Sequence, residues 1–352
     1  EDGIRDIGVT GVQTCALPIY YAAAFLGVVV LNLNTHLVAR ELKHMLADAC
    51  AVLLIADDRL ASTIEAALTG ETTVRQVLWT AAQSPMLHAL PGHVSSMSFE
   101  DAVSSAFRLR APSRPTEVSG SSPFQLYYTS GTTGTPKGVM LNHGIVCRHA
   151  VGVISDMSIH AHDVWLHAAP LFHLVDAFAM FSVTAVGGRH VVLRNFEAAT
   201  VLSTIQRERV SVTNLATTMV TLLCSNPALA LTDLTSLRLL SCGGSHLPAD
   251  TARRAVAAFG CPFFQSYGMT ECCGKIAMSI LDGSAHSLSE AMDQVVTSGR
   301  PFRLIQLRVV LPDGTNAQPG SCTVGEICVR GPTVFGGYRN RGDADRSEEH
   351  TS

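Results

Sequence analysis

A short apolar segment that runs directly into a polar loop constrains the fold of this chain more than any other stretch. Residues 124–128 (FQLYY) are apolar and aromatic, and we predict a buried strand there. The loop over residues 129–138 contains glycines, hydroxyl side chains and one lysine, and it leads into apolar residues 139–141 (VML). The sequence therefore predicts two strands joined by this loop.

The loop has the composition of a phosphate-binding site. Glycines let backbone N–H groups approach a phosphate, hydroxyls donate further hydrogen bonds, and a lysine adds positive charge. The order differs from the common P-loop, because Gly138 follows Lys137 where that motif has serine or threonine. A solvated surface turn does not require this order. The residues predicted to bind phosphate are Thr129, Ser130, Gly131, Thr132, Thr133, Gly134 and Lys137.

The remaining chain alternates between helical and strand patterns. Apolar positions from Val38 to Leu46 have helical spacing, with Thr35 as the candidate N-cap, and the apolar run over 51–56 predicts a buried parallel strand. This alternation predicts an α/β fold with doubly wound, mostly parallel sheets and helices on both faces. Past Gly299, two segments indicate strands without helices between them, so a small β subdomain is expected to follow.

The two ends of the chain have a different character. Residues 1–19 and 346–352 resemble translated sequencing-adapter read-through, so we expect them to be non-native and without regular structure. The domains predicted between them are an α/β body over residues 20–300 and the β subdomain over residues 301–345.

Composition excludes several classes of protein. The chain is 47% hydrophobic and 15% charged, which is typical of a soluble globular protein. No basic cluster suggests a nucleic-acid partner, and the longest apolar run near the start, residues 20–31, is too short to cross a bilayer. The ten cysteines form no Cys-x-x-Cys pair, which favours a reducing, cytoplasmic compartment over a disulfide framework.

A second motif, residues 265–271 (QSYGMTE), follows an apolar strand over residues 262–264. The carboxyl end of a strand is where open α/β sheets bind ligands. A tyrosine ring offers a flat apolar face, and a carboxylate suits the hard cation Mg²⁺.

The polar loop and this second motif, in this order, resemble the adenylate-forming (AMP-binding) superfamily, and within it the acyl-CoA synthetases and fatty-acid–CoA ligases. The resemblance covers most of residues 20–345 and implies that Tyr267 flanks an adenine, Thr270 contacts the α-phosphate and Glu271 holds Mg²⁺. It implies a catalytic set of Lys137, His173, Thr270 and Glu271. The implied adenine site is made of Gly243, Gly244, Ser245, Gln265, Ser266, Tyr267 and Gly268.

The same resemblance implies where the acid binds. Residues 170–173 (PLFH) match the segment that places a histidine, here His173, at the mouth of the carboxylate pocket, and Asn214 and Thr218 are expected to line that pocket. Relatives that activate amino acids carry an aspartate at the position of His173, and Asp176 is out of register with it. An α-amino acid is therefore disfavoured as the substrate.

Residues 325–332 and 336–338 resemble the stretch that leads to the family's ribose-binding aspartate. The sequence ends before that aspartate, and before the hinge and the mobile C-terminal domain with its catalytic lysine. We therefore expect the chain to be the N-terminal body of such an enzyme, with little or no activity by itself.

The resemblance implies that the intact parent converts a fatty or other non-amino carboxylic acid to acyl-AMP with ATP and Mg²⁺, then to acyl-CoA. Two alternatives remain open. The parent could load the acyl group onto a carrier protein, or the protein could be a non-catalytic nucleotide-binding homologue.

Overall fold

The computed structural model describes residues 6–10, 16–80, 88–108, 117–129, 136–281, 297–318 and 320–340. The chain divides into two compact units: the first comprises Glu1–Gly144 with Gly336–Arg346, and the second comprises Ile145–Phe335 with Ser347–Ser352. This division differs from the expected one, because it falls within the predicted α/β body and places residues 301–335 in the second unit.

The first unit contains a seven-stranded sheet. Its strands are β1 (Asp6–Thr10), β2 (Val29–Asn32), β3 (Ala51–Asp57), β4 (Gln76–Thr80), β5 (Ser95–Ser98), β6 (Pro123–Thr129) and β7 (Lys137–Asn142). The order is β5-β4-β3-β1-β2-β6-β7, and neighbouring strands are parallel except for the antiparallel pair β6–β7. The predicted strands on both sides of the polar loop are thus present and paired with each other.

Strand β1 lies inside this sheet, hydrogen-bonded in parallel to β2 on one side and β3 on the other. The expectation of no regular structure over residues 1–19 is therefore not met for residues 6–10, nor from Ala16, where a helix begins. Interior strands need backbone partners on both sides, and β1 supplies them to β2 and β3. Residues 346–352 lie outside the described residues.

Four helices belong wholly to the first unit: α1 (Ala16–Leu26), α2 (Ala39–Asp48), α3 (Ala61–Leu68) and α4 (Phe99–Ala106). Helix α2 buries Leu42, Met45 and Leu46, the face that the apolar spacing predicts. Its N-cap is Val38 rather than Thr35. The Val38 N–H donates to the Glu41 carboxylate at 3.1 Å, so a glutamate inside the first turn satisfies the backbone there.

The second unit contains another seven-stranded sheet and a separate strand pair. The sheet is made of β8 (Val164–His167), β9 (Arg189–Val192), β10 (Val212–Ala216), β11 (Leu239–Gly243), β12 (Phe263–Met269), β13 (Gly274–Leu281) and β14 (Arg300–Pro301). Its order is β14-β13-β12-β11-β10-β8-β9, with the pairs β12–β13 and β13–β14 antiparallel and the other pairs parallel. The strand pair is β15 (Gln306–Val310) with β16 (Glu326–Arg330), where the small β subdomain was predicted.

Helices cover both faces of this second sheet. They are α5 (His143–Asp156, which begins at the end of the first unit), α6 (Leu174–Ala177), α7 (Ala179–Ala185), α8 (Ala198–Glu208), α9 (Thr217–Cys224) and α10 (Ala249–Phe259). Neighbouring residues of one strand enter different cores: Trp165 packs with residues of α5 and α7, and Leu166 with residues of α8, α9 and α10. A strand buried on both faces is continuously apolar, as the sequence is there. The predicted α/β class is confirmed.

A buried aspartate joins the strands at the amino edge of the second sheet. Asp163 accepts hydrogen bonds from Arg238 Nε at 2.7 Å, from Ser211 Oγ at 2.7 Å and from the His160 N–H at 2.9 Å. Arg238, Ser211 and Asp163 immediately precede β11, β10 and β8, respectively. Burial by itself would raise the pKa of Asp163, but these hydrogen bonds and the Arg238 charge hold it below its usual value.

Asp163→Asn should therefore destabilise the protein by about 3 kcal/mol, because it leaves the Arg238 guanidinium without its anion. The folded pKa of Asp163 is depressed, so its contribution is complete above the unfolded value of about 3.9 and is lost as the pH falls through the folded pKa. Denaturant unfolding of Asp163→Asn and of the parent should show a difference in free energy of unfolding near pH 7 that becomes smaller at acid pH. The control Arg207→Gln removes an exposed pair with Glu208 and should change stability by less than about 1 kcal/mol. Equal stability of Asp163→Asn and the parent near pH 7 would contradict this.

Candidate active site

A cavity of about 370 Å³ lies in the second unit, at the carboxyl ends of β10, β11 and β12. Parallel pairing brings the ends of these strands to one edge of the sheet, although they are far apart in sequence. The chain segments that line the cavity are His173–Val175, Phe178, Ala216, Gly243–Ser245, Ser266, Gly268–Thr270 and Gly274–Lys275.

Most of the predicted adenine-binding residues line this cavity. Gly243 is the last residue of β11, Gly244 and Ser245 follow it in the turn, and Ser266 and Gly268 belong to β12. Gln265 and Tyr267, the other two predicted members, do not line it. The Tyr267 ring packs instead against the apolar cluster that also contains Phe264 and Phe178.

The glycines of this region are required by close backbone approach. A Cβ atom on Gly268 would stand 1.5 Å from the Gly274 carbonyl oxygen on β13, and one on Gly243 would stand 2.5 Å from Ser266 Oγ. Gly244 has φ +87°, in the left-handed region that favours glycine. Any larger residue would push the strands or the turn apart and change the cavity wall.

Thr270 and Glu271 belong to a short 3₁₀ helix, Thr270–Cys272, that follows β12. Thr270 lines the cavity, whereas the Glu271 side chain is buried beside it and does not form part of the lining. The Glu271 backbone carbonyl accepts a hydrogen bond from the Phe335 N–H at 2.7 Å. This hydrogen bond ties the 3₁₀ helix to the segment that follows β16.

The predicted acid-pocket residues are placed differently from one another. His173 is exposed, lines the cavity and is the N-cap of α6; desolvation by neighbouring atoms lowers its imidazole pKa. Asn214 is buried behind the cavity, where its Nδ2 donates to the Val175 carbonyl. Thr218 is exposed on α9 and is not part of the cavity lining.

Asp176 is committed to a buried network. Its Oδ1 accepts a hydrogen bond from Trp165 Nε1 at 3.0 Å, and its Oδ2 lies 3.3 Å from His167 Nδ1. The carboxylate is fully buried and does not line the cavity. It is therefore held by side chains of β8 and is not presented to a substrate amine.

The candidate phosphate-binding residues that the structure describes lie in the first unit. Thr129 and Lys137 are paired across β6 and β7, and the predicted residues Ser130–Gly134 between them lie outside the described residues. The buried Lys137 has its Nζ 5.3 Å from the centroid of the Tyr338 ring, within the range of a cation–π interaction. This contact orients the lysine at the point where the loop rejoins the sheet.

Lys275 and Phe178 are among the residues of the cavity wall that sequence reasoning missed. Lys275 is the third and last lysine of the chain, and it begins an apolar strand segment, KIAM. A charged residue at the start of a buried strand is the signal that could have identified it.

Metal sites enclosed by several protein side chains differ from sites with only one or two protein carboxylates, and the described side chains fit only the second kind. Within the described ranges, no group of three His, Cys, Asp or Glu side chains could enclose a metal ion. Mg²⁺ often takes only one or two protein carboxylates and fills its other positions with water and substrate phosphates. The buried carboxylate of Glu271 beside Thr270 fits that second kind of site.

Comparison with known proteins supports the class of protein that this fold and cavity define. Residues 13–339 match the AMP-binding enzyme family, and the chain belongs to that family. A feruloyl-CoA synthase from Amycolatopsis is 33% identical over 325 residues, covering 92% of this chain and 59% of the relative. An indoleacetate–CoA ligase from Aromatoleum aromaticum is 30% identical over 321 residues, covering 91% of this chain and 59% of the relative.

Two solved structures have the same fold. The inhibitor-bound N-terminal domain of FACL13 from Mycobacterium tuberculosis has a TM-score of 0.79 and 25% identity, covering 97% of this chain and 80% of that one. The O-succinylbenzoate coenzyme A synthetase of Bacillus subtilis in complex with AMP has a TM-score of 0.75 and 26% identity, with 97% and 78% covered. The chain spans about three fifths of the length of the curated relatives it matches. Among the described helices, none is long and apolar enough to cross a membrane.

Gly268→Ala should disrupt the site from within. The added methyl group would overlap the Gly274 carbonyl, so β12 and β13 must separate, at a cost above about 3 kcal/mol. Thermal unfolding should show a large fall in Tm, and calorimetry should show weaker AMP binding. Gly92→Ala is the control, because nothing lies within 4 Å of a Cβ atom there. A Gly268→Ala variant with unchanged Tm and AMP affinity would contradict the close approach.

Proposed function

We propose that the protein containing this chain uses ATP to activate a carboxylic acid, giving acyl-AMP and pyrophosphate, and then transfers the acyl group to coenzyme A. The observation that carries the proposal is the cavity at the carboxyl edge of the second sheet. It brings the Gly243–Ser245 turn, Thr270 and His173 together in a member of the AMP-binding enzyme family. The two curated relatives described above are named for CoA thioester formation, which favours coenzyme A over a carrier protein as acceptor.

The first step is a displacement at the α-phosphate by the carboxylate, with pyrophosphate as the leaving group. Such a reaction depends mainly on positioning and on groups already oriented toward the developing charge. Lys137 and the loop that precedes it would bind the phosphates. The Gly243–Ser245 turn would hold the adenine, and Thr270 would donate to the α-phosphate.

His173 would hold the carboxylate at the cavity mouth. Its lowered pKa keeps the imidazole neutral at pH 7, so it can donate one hydrogen bond without adding a charge. The acid is not an α-amino acid in this proposal, because Asp176 is already held by Trp165 and His167. The proposed substrate is therefore a fatty acid or another carboxylic acid without an α-amine.

The group implied for Glu271 is Mg²⁺ shared with the nucleotide. Bound there, Mg²⁺ would neutralise phosphate charge during the displacement. The chain itself contributes a buried, acceptor-only carboxylate next to Thr270 when Glu271 is ionised.

The proposed compartment is the cytoplasm. The described cysteines are free thiols, including Cys50, Cys147 and Cys322 on the surface. Exposed free thiols suit a reducing compartment.

The test of the proposed function is exchange of labelled pyrophosphate into ATP, measured with the whole protein that contains this chain over a panel of carboxylic acids. Acid-dependent exchange, followed by thioester formation when coenzyme A is added, is expected. If the acyl group is transferred only when an acyl-carrier protein is added, the carrier protein and not coenzyme A is the acceptor. Retained ATP binding without exchange for any acid would overturn catalysis and leave a nucleotide-binding protein.

Lys137→Ala should weaken binding of ATP by the chain roughly 10- to 100-fold, because one charge-assisted phosphate contact contributes about 1.5–3 kcal/mol. Calorimetric titration with ATP and Mg²⁺ measures the change. Lys43→Ala is the control, since Lys43 is exposed and its Nζ donates to the Thr69 carbonyl at 2.7 Å. Equal affinities of both variants and the parent would remove Lys137 from phosphate binding.

Glu271→Gln preserves shape and removes the charge, so the exchange reaction should need roughly 10-fold more Mg²⁺ or higher. The maximal rate at saturating Mg²⁺ and the Tm are measured in parallel to separate metal binding from folding. A Mg²⁺ titration that superimposes on that of the parent would show that Glu271 does not bind the metal.

A further inference from the structure

Lys275 is a buried cation in the wall of the candidate site. It belongs to β13, opposite Gly268 of β12, and is only 3% exposed while still lining the cavity. Its Nζ donates to Ser266 Oγ at 3.2 Å and lies 4.4 Å from the centroid of the Phe178 ring. Both partners also line the cavity, so the ammonium group is held at the cavity surface.

In the described part of the chain, no carboxylate forms an ion pair with this ammonium group. The acid that acts on it through space is Asp176, whose carboxylate accepts a hydrogen bond from Trp165 and lies 3.3 Å from His167 Nδ1. Burial lowers the pKa of Lys275 to about 8, while the charges of Cys242 and Asp176 act to raise it. The side chain is therefore mostly protonated at pH 7, and its charge is only partly compensated.

The neighbouring histidine provides no compensation. His149 is buried, and its Nε2 accepts a hydrogen bond from the Lys275 backbone N–H at 3.3 Å. Burial, together with the Lys275 charge, lowers the pKa of His149 to about 3, so this ring is neutral. It fixes the backbone of Lys275 and leaves the ammonium group free to meet a ligand in the cavity.

The rest of the cavity indicates which part of a ligand would reach this group. His173 is exposed at the mouth, whereas Lys275 is buried, and the wall also includes the apolar side chains of Leu174, Val175 and Met269. A carboxylate that reacts with ATP must lie at the open end, where the nucleotide enters. The far end of the acid would then follow the apolar wall to the ammonium group.

We propose that Lys275 determines specificity by binding a second carboxylate at the far end of the acid, so that the cavity selects dicarboxylic acids with an apolar middle. This inference rests on the proposed function, because it takes the part of the cavity wall formed by Val175, Phe178 and Lys275 to be the acid-binding site. A buried cation without a carboxylate partner is costly to a folded protein. A ligand that brings the missing anion regains part of that cost on binding.

The experiment compares straight-chain dicarboxylic acids with monocarboxylic acids of the same carbon number, titrated calorimetrically into the chain in the presence of ATP analogue and Mg²⁺. The parent should bind the best dicarboxylic acid at least about tenfold more tightly than its monocarboxylic counterpart. Lys275→Met should lose that preference and should bind the monocarboxylic acid equally well or better. Lys43→Met, which removes an exposed lysine, should behave as the parent.

Thermal unfolding of the free protein supplies a second readout. Lys275→Met removes the buried charge, and Ser266 Oγ still donates to the Cys242 carbonyl at 3.2 Å, so the Tm should rise. A purely structural lysine would instead lower the Tm and weaken both acids together. That result would overturn the proposal. An equal loss of affinity for both acids at unchanged Tm would also overturn it, because Lys275 would then bind the carboxylate that the two acids share.

Pyrophosphate exchange with the same acids distinguishes failure of the two proposals. Exchange driven by monocarboxylic acids, without preference for dicarboxylic acids, overturns the role of Lys275 and leaves acid activation intact. If no acid of either series binds or drives exchange, the proposed function fails and the role of Lys275 fails with it.

Discussion

Parallel hydrogen bonding among β10, β11 and β12 is the constraint on which the candidate site depends. It aligns the carboxyl ends of three strands, so that Ala216, the Gly243 turn and Ser266 meet at one edge although dozens of residues separate them. At the opposite edge, Asp163 holds together the segments that enter β8, β10 and β11. The buried polar cluster therefore keeps the strands in register, and the free edge is available for a ligand.

Close approach of β12 and β13 gives this edge its shape. Gly268 lies against the Gly274 carbonyl with no room for a side chain, and the next residue, Lys275, enters the cavity wall opposite it. The same strand pairing thus explains a glycine of the Tyr-Gly-Met-Thr-Glu motif and positions a buried cation. Strand packing and ligand chemistry are coupled at this point, because any change that separates the strands also moves the ammonium group.

Two buried charged residues of the second unit, Asp163 and Lys275, differ in how completely their neighbours compensate the charge. Asp163 has several donors, including a guanidinium, and its pKa is held below the usual value. Lys275 has one hydroxyl and one aromatic ring as partners, and burial lowers its pKa toward neutrality. A fully bonded charge stabilises the fold, whereas an incompletely compensated charge in a cavity wall is a property suited to ligand binding.

The sequence by itself determined the fold class and most of the strands, because buried parallel strands must be continuously apolar and the intervening helices show apolar spacing. It also pointed to the turn glycines and His173, which line the cavity, because local sequence motifs specify local backbone conformation. Which strand lies beside which, the division at Gly144, and the interior position of β1 were decided by pairing over long sequence separations. The roles of Asn214, Gln265 and Lys275 likewise depend on which face of a strand meets the cavity. A one-residue change in register reverses that face, so only the tertiary structure decides it.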